Sequence, residues 1–126
     1  MGTKNLSERS AYEVFEDHLK LAQEGKLGED LKNNYATDIV LLTNYGTFYG
    51  HEGTKEAATL LDEQLSNGSY DYKIKLCYEK ICFLHWTGNS EDSYILDGAD
   101  SFLIEKGKIK VQTIFYTFHK KINKKE

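Results

Sequence analysis

A chain of 126 residues, 40% hydrophobic and 29% charged with a formal net charge of −4, is long enough to bury one core, and one domain over residues 1–126 is expected, ordered at about 7–119. A protein that neutralises phosphates would carry a basic stripe; the one lysine cluster is the 120–126 tail with Lys120, Lys121, Lys124 and Lys125, so a nucleic-acid partner is not expected. No run reaches membrane-spanning length and residues 1–10 lack the apolar core of a signal peptide, so no membrane partner and a cytoplasmic location are expected.

From Ser7 to about Glu24, Ala11, Val14, Phe15, Leu19 and Ala22 recur at helical spacing behind Ser7 as N-cap, and Gly25 ends the helix. Leu27, Leu31 and Tyr35, four residues apart, predict a second short helix. Asp38 to Asn44 contains the β-branched run of a first strand, with a tight hairpin into Thr47–Tyr49. His51-Glu52-Gly53-Thr54 is expected as a loop into a third helix, Lys55 to Leu65, stopped at Asn67-Gly68.

The remainder reads as sheet. Tyr70, Tyr72, Ile74, Leu76 and Tyr78 alternate with polar residues at a period of two, and Ile81–Thr87, Tyr94–Ile104 and Ile109–His119 follow as strands. Cys82, Leu84 and Trp86 match the Tyr70–Tyr78 face if the intervening turn has three residues. A two-residue turn at Glu79-Lys80 would instead set Cys77 opposite Cys82. The two cysteines form no disulfide framework and lack metal-ligand spacing; they are expected to be reduced, since a bridge there would be strained and out of place in cytosol. Gly98 inside a long strand marks a bend, and apolar groups on both faces of the last strand predict a homodimer through the convex face.

Three strings carry a resemblance: Asp30-Leu-Lys-Asn-Asn-Tyr-Ala-Thr-Asp38, Gly50-His-Glu-Gly-Thr-Lys55 and Asp97-Gly-Ala-Asp-Ser-Phe-Leu-Ile-Glu-Lys-Gly-Lys-Ile109. With their order and spacing, the chain from about Ser7 to His119 resembles the nuclear transport factor 2-like superfamily, in particular its SnoaL-like and ketosteroid isomerase-like branch. The resemblance implies an α+β fold, a cone-shaped barrel in which a strongly curved mixed or antiparallel sheet wraps three helices around one pocket. It also implies Asp100 at the position of the oxyanion-stabilising acid, His18 near that of the oxyanion tyrosine, and Thr43 where the isomerases hold their general base. A neutral threonine cannot take a proton from carbon, so authentic ketosteroid isomerase activity is not expected.

If Asp100 points inward, strand alternation puts Gly98 and Phe102 on its face and brings Gln112, Ile114 and Tyr116 in from the next strand. Such an apolar setting raises a carboxyl pKa into the range useful for proton transfer. His18, on the apolar stripe of the first helix, is its candidate acid–base partner; Tyr35, Thr43, Tyr45 and Trp86 complete the candidate lining. Trp86 and not His85 is expected to face inward. No cofactor is expected. The function expected is a SnoaL-like pocket protein for a small, largely apolar organic molecule, with acid–base chemistry of the isomerase, cyclase or hydrolase type; the alternative is a non-catalytic ligand-binding or dimerisation module.

Overall fold

Ser10 caps the first helix. In the computed structural model, which describes residues 5–122, its hydroxyl accepts from the Glu13 backbone N–H at 3.1 Å while the Glu13 carboxylate accepts from the Ser10 N–H at 2.8 Å. This reciprocal pair satisfies two donors that a helix start leaves free, so α1 runs Ala11–Gln23 and Ser7, the expected cap, sits earlier in a 3-10 turn, Leu6–Glu8. Its buried face is Val14, Phe15, His18, Leu19 and Leu21, whereas Ala22 is exposed. Helix α2 spans Leu27–Asn34, and Tyr35 belongs not to it but to strand β1, Tyr35–Thr43.

Strand β2, Gly46–Tyr49, folds back on β1. Helix α3, Gly50–Gln64, starts before the expected position: the segment from His51 to Thr54 is its first turn, where the Thr54 hydroxyl donates to the Gly50 carbonyl at 2.9 Å. Strands β3 (Ser69–Tyr78), β4 (Ile81–Asn89), β5 (Ser93–Glu105) and β6 (Lys108–Phe115) follow, and the chain ends on a short β7, His119–Lys120. The strand expected to run unbroken to His119 is therefore interrupted, and β7 pairs with the start of β5. The sheet order is β2-β1-β6-β5-β4-β3, with β1 and β6 parallel and the other pairs antiparallel; it is bent but open, with β2 and β3 as edges. Of the basic tail, residues 123–126 lie outside the described part. No helix among the described residues is long and apolar enough to cross a membrane.

The β3–β4 hairpin resolves the register left open by the sequence. The turn has two residues, and Cys77 pairs directly with Cys82. Both cysteines point inward with Cα atoms 4.1 Å apart and are joined as a disulfide, which corrects the expectation of reduced thiols. A register shift between Tyr72 and Ile74 makes this compatible with an inward-facing Trp86: Tyr70 and Tyr72 face the interior, and beyond the bulge the faces exchange. Ile74, Leu76 and Tyr78 are consequently exposed on the outer face.

Helices α1 and α2 cover the inner face of the sheet at its narrow end. Phe15 and Phe102 meet there edge to face, ring centroids 5.3 Å apart, among fully buried Ile39, Ile95 and Ile109. Each such side chain contributes about 2 kcal/mol of transfer free energy. The wide end lacks comparable filling, because α3 buries only Gly53 and Thr54 within its own length.

Candidate functional site

Strand parity builds the site. Asp100 pairs with Ile114 and Leu84, Phe102 with Gln112, and Gly98 with Trp86, so these side chains share the inner face of β4, β5 and β6. Gly98 lets the indole of Trp86 lie against the β5 backbone, since a Cβ at residue 98 would overlap the ring. His18 from α1, Tyr35, Leu41 and Thr43 from β1, and the inner face of α3 (Ala57, Ala58, Leu61) enclose the remaining space. The result is a cavity of about 320 Å³, apolar over most of its wall.

Two hydrogen-bonded groups meet at its floor. Trp86 Nε1 donates to Asp100 Oδ1 at 2.8 Å and Gln112 Nε2 donates to Oδ2 at 3.2 Å. The amide orientation of Gln112 is fixed in turn by the Tyr35 hydroxyl, which donates to its Oε1 at 2.6 Å. The second group begins at His18, whose Nδ1 lies 2.7 Å from Asp30 Oδ2. Asn34, fully buried, donates to Asp30 Oδ1 at 2.9 Å and to Asp17 at 3.0 Å, and accepts from Arg9 at 2.9 Å. Asp30 thus holds a proton on Nδ1, and the His18 ring borders the cavity.

These environments push both titrating groups upward. Burial raises the Asp100 carboxyl to about 6, against the opposing effects of the Trp86 hydrogen bond, the His18 charge and the Gln112 hydrogen bond. Burial pulls the His18 imidazole down, but the charge and hydrogen bond of Asp30, with Asp100 and Asp17 adding, outweigh it and leave the pKa above the ordinary histidine value. The cavity wall therefore brings together a carboxyl group and an imidazole that both hold their protons to higher pH than usual. Two of the lining tyrosine hydroxyls are committed elsewhere: Tyr72 donates to the Leu19 carbonyl at 3.2 Å, and Tyr116 donates to Gln64.

Asp100, His18, Tyr35, Thr43, Tyr45, Trp86, Gln112, Ile114 and Tyr116 all line the cavity. Phe102 does not: it lies one step deeper, where α1 covers it, stacked edge-on against Phe15 and the His18 ring. His18 and Asp100 share the cavity but are not hydrogen-bonded to each other. His18 bonds to Asp30, and Asp100 acts on it through charge alone. Thr43 Oγ1 serves the β1–β2 turn, donating to the Gly46 carbonyl at 3.1 Å and accepting from the Tyr45 N–H at 2.8 Å. His85 faces outward and bonds to the Gly98 carbonyl, and His51 bonds to the Tyr35 carbonyl. Asp30, Tyr70 and Tyr72 were missed as lining residues; parity along β3 up to Tyr72 signals the tyrosines, whereas nothing local marks Asp30.

The amino-acid sequence matches no family model and no curated protein. The structure is similar to solved ones. A SnoaL-like protein of Mesorhizobium loti aligns at TM-score 0.66 with 16% identity, over 86% of this chain and 100% of that one. A ketosteroid isomerase-like protein of Kribbella flavida aligns at 0.73 with 9% identity, over 92% and 82%, and an NTF2-like protein of unknown function from Cytophaga hutchinsonii at 0.69 with 13%, over 93% and 95%. At these identities the likeness establishes the fold, the α+β cone of nuclear transport factor 2-like proteins, and leaves chemistry to the residues.

Proposed function

We propose that the cavity binds a small, largely apolar molecule bearing an enolisable carbonyl and moves a proton on it without a cofactor. The observation carrying this is that the Asp100 carboxyl group and the Asp30-held His18 imidazole line the same cavity. In the proposed step the ligand carbonyl accepts from His18 Nε2–H, Asp100 takes the proton from the adjacent carbon, and the electron pair moves onto the carbonyl oxygen. The imidazolium stabilises that developing charge in a water-poor site. Return of the proton to another carbon gives isomerisation; attack of the enolate on a second carbonyl of the same molecule gives ring closure. The SnoaL-like and ketosteroid isomerase-like neighbours support a ligand of this class.

The test is a thermal-shift screen of steroid-like, polyketide-like and terpenoid ketones, since binding to the folded state raises its stability, followed by deuterium uptake into each hit in D2O. Wild-type protein is expected to catalyse uptake and Asp100→Asn to lose it. Equal uptake by both would remove Asp100 from the mechanism.

The rival is a non-catalytic binding module, favoured by Thr43, whose hydroxyl is consumed by a turn at the strand position where the isomerases hold a base. A ligand that stabilises the protein but exchanges no deuterium would select it. In either case we propose a second copy of the chain as partner, because the outer sheet face exposes Leu42, Ile74, Leu76, Ile81 and Phe115 while the helices cover only the inner face.

A further inference from the structure

A second pocket of about 270 Å³, which shares Tyr35 with the main cavity, is otherwise lined by Lys32, Ala36, Thr37, Asp38, His51, Lys108 and Lys110. It lies beside the stretch where β1 shifts register against β6, between Tyr35 and Val40. We propose that this pocket is a binding site for a tetrahedral oxyanion, either free phosphate or the terminal phosphoryl group of a small molecule.

Charge pairing makes the case. In a chain of net charge −4, Lys20, Lys26, Lys55, Lys73, Lys75 and Lys80 each have a carboxylate within ion-pair distance. Among the described residues the three lysines of the pocket have none, as is also true of Lys106, Lys120 and Lys121 elsewhere, but only in the pocket do three such lysines line one cavity; Asp38, the one acid on the lining, pairs with none of them. Lys108 is held in place rather than mobile: its ammonium donates to the Lys32 carbonyl at 3.0 Å and the Asn33 carbonyl at 3.2 Å. Arg9 donates to the same Asn33 carbonyl at 2.7 Å, so two cations converge on one neutral acceptor. Burial and the Arg9 charge accordingly lower the Lys108 pKa. Asp17 lies 3.8 Å from Arg9 Nη1 and Glu105 acts on Lys110 only from beyond ion-pair distance, so an oxyanion in the pocket would add the contact counter-charge for Lys32, Lys108 and Lys110.

The experiment follows backbone amide shifts of Thr37, Asp38 and His51 during titration with sodium phosphate, and separately methyl phosphate, at fixed pH and ionic strength. Saturable shifts confined to the pocket are expected, weakened about tenfold by Lys32→Gln with Lys110→Gln, since each lost, partly exposed charge contact accounts for only a few-fold in affinity. Both positions are peripheral enough to leave the fold intact, and Lys73→Gln serves as the control that leaves binding unchanged. Methyl phosphate binding as well as phosphate identifies a phosphoryl-bearing ligand; phosphate binding alone identifies the free anion. Non-saturating shifts, or saturation unaffected by the double substitution, would overturn the site.

Discussion

The Trp86 indole rests against the backbone of Gly98, its cross-strand partner, and from that position donates its N–H to Asp100 at 2.8 Å. The missing side chain at residue 98 and the orientation of the carboxyl two residues later are therefore one structural arrangement.

Gly98→Ala should be destabilising by about 2–4 kcal/mol, because the added methyl overlaps a ring that the surrounding core holds rigidly. Urea denaturation measures the loss. Trp86→Phe, which frees the space but removes the donor, should instead raise the Asp100 pKa further, since the indole hydrogen bond opposes the effect of burial.

Asp30→Asn removes the charge that holds His18 protonated. With burial then opposed only by more distant carboxylates, the His18 pKa should fall below its ordinary value. The imidazole C–H resonances in a pH titration report it directly. Stability should drop by about 2 kcal/mol, moderated because the imidazole can shed its proton rather than remain a lone buried charge.

Asp100 makes stability fall with rising pH. Its folded pKa of about 6 lies above the ordinary 3.8, so the folded chain holds this proton more tightly than the unfolded one. The contribution is complete below about pH 4 and is lost as pH climbs through 6, by about 3 kcal/mol in all. The stability difference between wild type and Asp100→Asn should therefore shrink by about that amount between pH 4 and 7. His18, also raised, adds a loss in the same direction above its own folded pKa.

Phe115→Lys on the outer face should leave the fold intact and convert a two-chain species to one, as read by light scattering on an eluting sample. An unchanged mass would mean that the exposed apolar residues there do not form the contact between copies.

How much of this was legible in the sequence depended on whether one face of an element carried a distinct pattern. Alternation around Gly98 placed Asp100, Gln112 and Ile114 inward correctly, because parity along a continuous strand is conserved. Phe102 had the right parity and the wrong depth; which inward residue meets a helix and which meets open space depends on where α1 ends. The face exchange between Tyr72 and Ile74 was invisible, since apolar residues continue at the same period through a bulge whose two sides both carry them. Asp30 was hidden for a different reason. Its partner His18 is twelve positions away on another helix, and only the packing of α1 on α2 brings them together.

The proposed chemistry requires Asp100 to be an ionisable group withheld from water beside the ligand space. A titration of its side-chain carboxyl carbon by NMR tests this most directly: a midpoint near 6, moving when a ligand fills the cavity, is the predicted result. A midpoint in the ordinary carboxylate range near 4, insensitive to any bound ligand, would contradict it.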